Sequence, residues 1–188
     1  MKKLFFLLLC MFCIVAFGQR SKNVVSLHGK VGYMEGKGIL MQDFASSATL
    51  GVQQLLGKGY LWEANLFAQD FSVHHEKIEN PIPYSLYGLN VMGGWSLESL
   101  NPLYFNFKIG GFGGYYIINK NEGKDEEFGT TFMNSVSGIN YGALAEAEAE
   151  VILLGRLSAV GSFTQFFYPK DSWIRWNYTV QAGLKFYL

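Results

Sequence analysis

Apolar and polar residues alternate with a period of two through most of this chain, the pattern of β-strands with one greasy and one polar face. The last segment shows it most plainly. There Tyr178, Val180, Ala182, Leu184, Phe186 and Leu188 interleave with Thr179, Gln181, Gly183, Lys185 and Tyr187. Near the start, Val25, Leu27, Val31 and Tyr33 stand against Ser26, His28 and Lys30. The pattern returns with Tyr60, Trp62, Ala64 and Leu66 against Glu63, Asn65 and Gln69, and with Leu103, Phe105, Phe107 and Ile109 against Tyr104, Asn106 and Lys108. No segment after Gln19 keeps a helical period.

Residues 141–151 put the period to a test, because Ala and Glu are good helix formers. As a helix, Glu146, Glu148 and Glu150 would scatter over several faces, with Glu146 and Glu150 in like-charge register. As a strand, the three Glu and Leu144 share one face, while Ala143, Ala145, Ala147 and Ala149 share the other. The segment is therefore predicted as a strand.

Eight strands follow, at approximately 23–33, 45–55, 60–70, 84–96, 103–117, 138–153, 157–167 and 176–188. The connections alternate in length. Those at Gly57-Lys58-Gly59, Glu98-Ser99 and Gly155-Arg156 are short; 34–44, 71–83, 118–137 and 168–175 are longer and hold most of the charge, Asn and Pro. Short turns on one side and long loops on the other fit an all-β, single, antiparallel up-and-down barrel of about eight strands of the outer-membrane type. A soluble lipocalin-like barrel has the same strand number but an apolar interior and a polar outside. Aromatic placement favours the membrane barrel. Tyr33, Tyr60, Trp62, Tyr87, Trp95, Tyr115, Tyr141, Trp176 and Tyr178 fall near predicted strand ends, as interfacial girdles require.

The amino terminus supplies an address. Lys2 and Lys3 precede an apolar run, Leu4 to Phe17, too short to span a bilayer, and Ala16-Phe17-Gly18 forms a small-x-small cleavage site before Gln19. The expected organisation is a cleaved signal peptide, 1–18, and a barrel domain, 19–188. Cys10 and Cys13 follow Leu9 and Phe12, which are too large for a lipidation site, so both cysteines are expected to leave with the signal. With 15 basic and 15 acidic side chains and no basic stripe, the chain lacks the electrostatic footprint of a nucleic-acid binder.

Chemistry-bearing residues are few. His74-His75 are adjacent, point apart in extended backbone and have no third ligand spaced nearby, so no metal site is expected. His28 near Ser26 could act as a base, as in lipid-modifying outer-membrane enzymes, but no carboxylate partner is fixed by the spacing. Eight strands close around their own side chains, so Glu146, Glu148 and Glu150 should be paired internally, with Lys108 nearest and Lys30 and Lys185 reaching across. Gly110-Gly111-Phe112-Gly113-Gly114 lies inside a strand and lacks the strand-then-helix setting of a phosphate loop. The expectation is a non-enzymatic protein with no catalytic, cofactor-binding or metal site, no cofactor and no small-molecule substrate.

The carboxy-terminal half resembles the conjugal transfer protein TraO of Bacteroides conjugative transposons. The resemblance rests on the Phe17-Gly18-Gln19 signal end, Ile109-Gly110-Gly111-Phe112-Gly113-Gly114-Tyr115, Tyr141-Gly142-Ala143 leading into Glu148-Ala149-Glu150-Val151, and Val180-Gln181-Ala182-Gly183-Leu184-Lys185-Phe186. It implies an accessory of a mating apparatus, a type IV secretion-like machine, in which the barrel scaffolds or anchors other transfer proteins. The alternative is a generic OmpA- or OmpX-like barrel for adhesion or envelope integrity. In either case outer-membrane lipid is an expected partner.

Overall fold

The structure, a computed structural model, describes residues 23–35, 45–75, 78–100, 102–119, 136–169 and 174–188, the side chains of 73–75 and 78–81 excepted. The expected signal peptide with Cys10 and Cys13, and most of the expected loops 34–44 and 118–137, lie outside the described residues. Eight strands follow the alternation: β1 Val25–Met34, β2 Ser46–Leu55, β3 Tyr60–His75, β4 Ile78–Leu97, β5 Leu103–Ile118, β6 Ser137–Leu154, β7 Leu157–Phe167 and β8 Trp176–Tyr187. Each pairs antiparallel with the next, and β8 pairs back onto β1, so the sheet closes in chain order with no crossover. Closure leaves no edge strand through the body of the barrel, which is what a sheet exposed to lipid requires.

The register fixes the stagger. Starting at Tyr60 and stepping through Trp95, Phe107, Ala147, Phe163, Val180, Tyr33 and Ser46 returns to β3 at Asp70, ten residues above the starting point. With eight strands this stagger sets a tilt of roughly 40°, inside the range of small barrels, and leaves a bore that side chains fill.

Tight turns close the lower end. Lys58 and Gly59 between β2 and β3 have φ of 66° and 81°, and Gly155 between β6 and β7 has φ of 48°. The left-handed region suits Gly, and a Cβ on Gly59 would also press on the Trp95 ring at 2.9 Å. At the other end one expectation is corrected. Residues 71–75 and 78–83 are strand, not loop. Phe71 pairs with Tyr84, Ser72 with Pro83 and Val73 with Ile82, so β3 and β4 run on as a hairpin above the rim. Pro81 and Pro83 read as strand breakers in the sequence, but pairing of β4 with β5 starts only at Tyr84. Above that level they occupy a strand edge, where the missing N–H is tolerated.

Period two assigns the faces throughout. Val31, Ile109 and Ile139 point outward at 67, 72 and 81 % exposure, whereas Lys30, Lys108 and Lys185 point inward at 1, 1 and 0 %. A soluble barrel would have these the other way round. Tyr60, Trp95 and Phe107 form a lower outward belt on adjacent strands, and Tyr87, Tyr115 and Tyr141 an upper one. Along β4, Trp95 and Tyr87 are eight residues apart, roughly 20 Å of height at that tilt, against an apolar band of about 25 Å in barrels of this kind.

Candidate functional site

The interior divides into two levels of different chemistry. The lower holds charge. β6 supplies Glu146, Glu148 and Glu150, because a period of two sends all three to the same side, and β5 sets Lys108 directly beside Glu146 in register. The Lys108 ammonium lies 2.5 Å from Glu63 Oε2, 2.6 Å from Glu146 Oε1 and 3.1 Å from Glu148 Oε2. Lys30 reaches across from β1 to Glu146 at 2.8 Å and Glu148 at 3.5 Å. Lys185 on β8 binds Glu148 at 2.6 Å and Glu150 at 3.0 Å. Neutral donors complete the shell. Asn106 Nδ2 donates to Glu148 at 2.8 Å, Thr164 to Glu146 at 2.9 Å, Asn65 Nδ2 to Glu63 at 2.8 Å, and the Tyr187 hydroxyl to Glu150.

This arrangement is a closed ion-pair network. Burying a carboxylate without a partner costs several kcal/mol, and each of the four Glu side chains has a lysine within ion-pairing distance. Glu63, Glu146 and Glu148 bring carboxylate oxygens within 4.8 Å of one another, the spacing of a metal site. An ammonium already stands among them, since Lys108 contacts all three. The pairing expected for Glu146, Glu148 and Glu150 is therefore present, and all three lysines named for it take part. The sequence reading did not place Glu63, Asn65 or Asn106 in the same network. Their inward parity on β3 and β5 was visible, but their height relative to β6 comes from the stagger alone.

The upper level is apolar and aromatic. Phe67 and Phe112 meet edge-on at 6.0 Å between ring centroids, Phe112 and Phe166 at 5.4 Å, and Phe112 and Tyr168 at 5.0 Å. Phe71 and Tyr84 close the top at 4.9 Å. These rings, with Met34, Leu86 and Leu144, form a continuous buried cluster that fills the bore above the charges. The plug corrects the expectation of a polar inward face. Phe67, Phe112 and Phe166 occupy the same parity as Glu63, Lys108 and Ser162 on their strands, a signal that was available.

Other candidates resolve as follows. His28 does not engage the Ser26 hydroxyl, which donates to the Gln53 carbonyl at 3.3 Å. Its Nε2 instead lies 2.9 Å from Asn65 Oδ1 and 3.3 Å from Glu63 Oε1. A nucleophile and base in contact are thus not formed there. The side chains of His74 and His75 lie outside the described ones. In the glycine run of β5, a Cβ on Gly110 would sit 2.0 Å from the Val91 carbonyl, so this glycine answers a close approach of strands.

No protein-family model and no curated protein matches the chain. Solved structures do. The Neisserial surface protein A aligns with a TM-score of 0.63 at 7 % identity, over 86 % of this chain and 96 % of its own. The amino-terminal β-barrel domain of Pseudomonas aeruginosa OprF aligns at 0.54 and 10 % identity, over 90 and 100 %. Ail, the attachment invasion locus protein of Yersinia pestis, solved with the heparin analogue sucrose octasulfate, aligns at 0.53 and 9 %, over 89 and 100 %. At such identities the likeness concerns the fold, and the fold is that of the small eight-stranded outer-membrane barrels.

Proposed function

We propose that the protein is a non-enzymatic outer-membrane barrel whose business is conducted at its rim: an OmpA- or OmpX-like anchor serving adhesion or envelope integrity. The observation that carries this reading is the filled bore. Among the described residues an ion-pair network occupies the lower bore and an aromatic plug the upper, an arrangement that favours an anchor over a channel. What remains is an apolar exterior suited to lipid and the connections above the upper belt, including the β3–β4 hairpin.

A second, narrower reading comes from the resemblance to TraO: the same anchor would serve a conjugative transfer apparatus, holding other transfer proteins at the outer membrane. The sequence stretches named above favour it; the structural neighbours are surface and outer-membrane barrels and are neutral on conjugation. DNA itself would not pass through this barrel. A clean deletion tests both readings at once. Lower donor transfer frequency with normal detergent resistance supports the conjugative role. Parental transfer with new leakiness to detergents or antibiotics, or with lost adhesion to surfaces, supports the envelope role alone, and no change in any of the three overturns both.

A further inference from the structure

The lipid-facing surface is not uniform. On β4 to β7 it sinks into a groove of about 630 Å³, floored by Gly93, Ala145 and Ala147 and walled by Trp95, Phe107 and Phe163. A smaller groove of about 330 Å³ lies on β1 to β3, lined by Gly29, Ala48, Leu50, Leu66 and Ala68 among others. Packing within the chain does not explain the floor, because a Cβ on Gly93 would meet nothing within 4 Å. Glycine weakens a strand interior, so its place here leaves room for something outside the chain.

The occupant follows from depth and charge. The groove starts at the lower belt, where Tyr60 and Trp95 line it, and rises into the apolar band, where an occupant must be apolar. Two residues before Tyr60 stands Lys58, exposed in the turn and paired with no carboxylate among the described residues. Glu98 in the next turn is half-buried. The turn that carries this exposed lysine abuts the groove at Trp95, since a Cβ on Gly59 would lie 2.9 Å from that ring, and an apolar trough with a cation in the turn below it suits a phospholipid, its chain in the trough and its phosphate toward the lysine. We infer that this groove is a binding site for a phospholipid of anionic headgroup in the inner leaflet of the outer membrane. The inference rests on the outer-membrane reading above.

The test uses the full barrel with a single tryptophan, Trp95, the others changed to Phe, reconstituted into phosphatidylcholine vesicles with brominated lipid. One cation near a membrane surface adds about 1 kcal/mol toward an anionic lipid, so brominated phosphatidylglycerol should quench Trp95 at about fivefold lower mole fraction than brominated phosphatidylcholine. Lys58→Gln should abolish the preference. Gly93→Leu, sterically free by the geometry above, should fill the trough and reduce quenching by both lipids. A companion barrel retaining only Trp176, which faces outward at the opposite, upper end of β8 and does not line the groove, should show no preference. Equal quenching of Trp95 by both lipids, or a preference that survives Lys58→Gln, would reduce the site to ordinary annular lipid and overturn the inference. Trp95 shielded from both lipids together with cross-linked dimers would give the groove to a second copy and overturn it likewise. Failure of either brominated lipid to quench even Trp176 would instead count against membrane insertion itself.

Discussion

Replacing Lys108 by Met should destabilise the barrel by about 3–5 kcal/mol, the cost of breaking a buried ion pair from one side. The structure gives the reason for the upper part of that range. Lys108 touches three carboxylates at 2.5, 2.6 and 3.1 Å, and those carboxylates come within 4.8 Å of one another, so its loss removes an attraction and exposes a repulsion. Lys30 remains, 2.8 Å from Glu146, 3.5 Å from Glu148 and 3.7 Å from Glu63, and compensates in part. Met keeps the apolar stem, which separates loss of charge from loss of volume. Urea unfolding in lipid vesicles, followed by tryptophan fluorescence and heat-modifiable gel mobility, reads the change. Adding Glu63→Gln should recover about 1–2 kcal/mol, because the amide oxygen still accepts from Asn65 while one unpaired charge disappears. A Lys108→Met barrel within about 0.5 kcal/mol of the parent, or a double variant less stable than the single, would refute a dry, closed network.

Three further outcomes are expected. Ala145→Arg and Ala147→Arg should each cost roughly 2–4 kcal/mol, because both alanines face outward between the belts where a new charge meets hydrocarbon, and the same urea titration would show it. Gly142→Ala should sharply lower refolding yield, since its Cβ would fall 1.9 Å from the Phe167 carbonyl, whereas Gly113→Ala, whose Cβ meets nothing within 4 Å, should refold like the parent. Cysteines placed singly at Asn121 and Lys58 should label differently on intact cells with a membrane-impermeant thiol reagent, Asn121 reacting and Lys58 not; the opposite result would invert the topology.

Much of this architecture was written along the chain. The parity of Tyr178 to Leu188 and of Ala143 to Glu150 assigned faces residue by residue, because a strand leaves a side chain only two directions and one of them must suit lipid. The β6 segment is the sharpest case: its composition favours a helix, yet only a strand keeps its carboxylates together. Short turns at 57–59 and 155–156 were legible from Gly and its neighbours.

Height was not legible. Which inward residues share a level depends on the ten-residue stagger that brings Tyr60 round to Asp70, a property of the closed sheet and of no single strand. The stagger sets Glu63 beside Lys108 and stacks Phe67 against Phe112 and Phe166, dividing one inward face into a charged floor and an aromatic plug. Pairing of β3 with β4 beyond the level where β5 begins likewise decided that Pro81 and Pro83 sit on a strand edge and not in a loop. Local alternation determines inside and outside, because it is a property of neighbouring bonds; long-range pairing alone determines who meets whom.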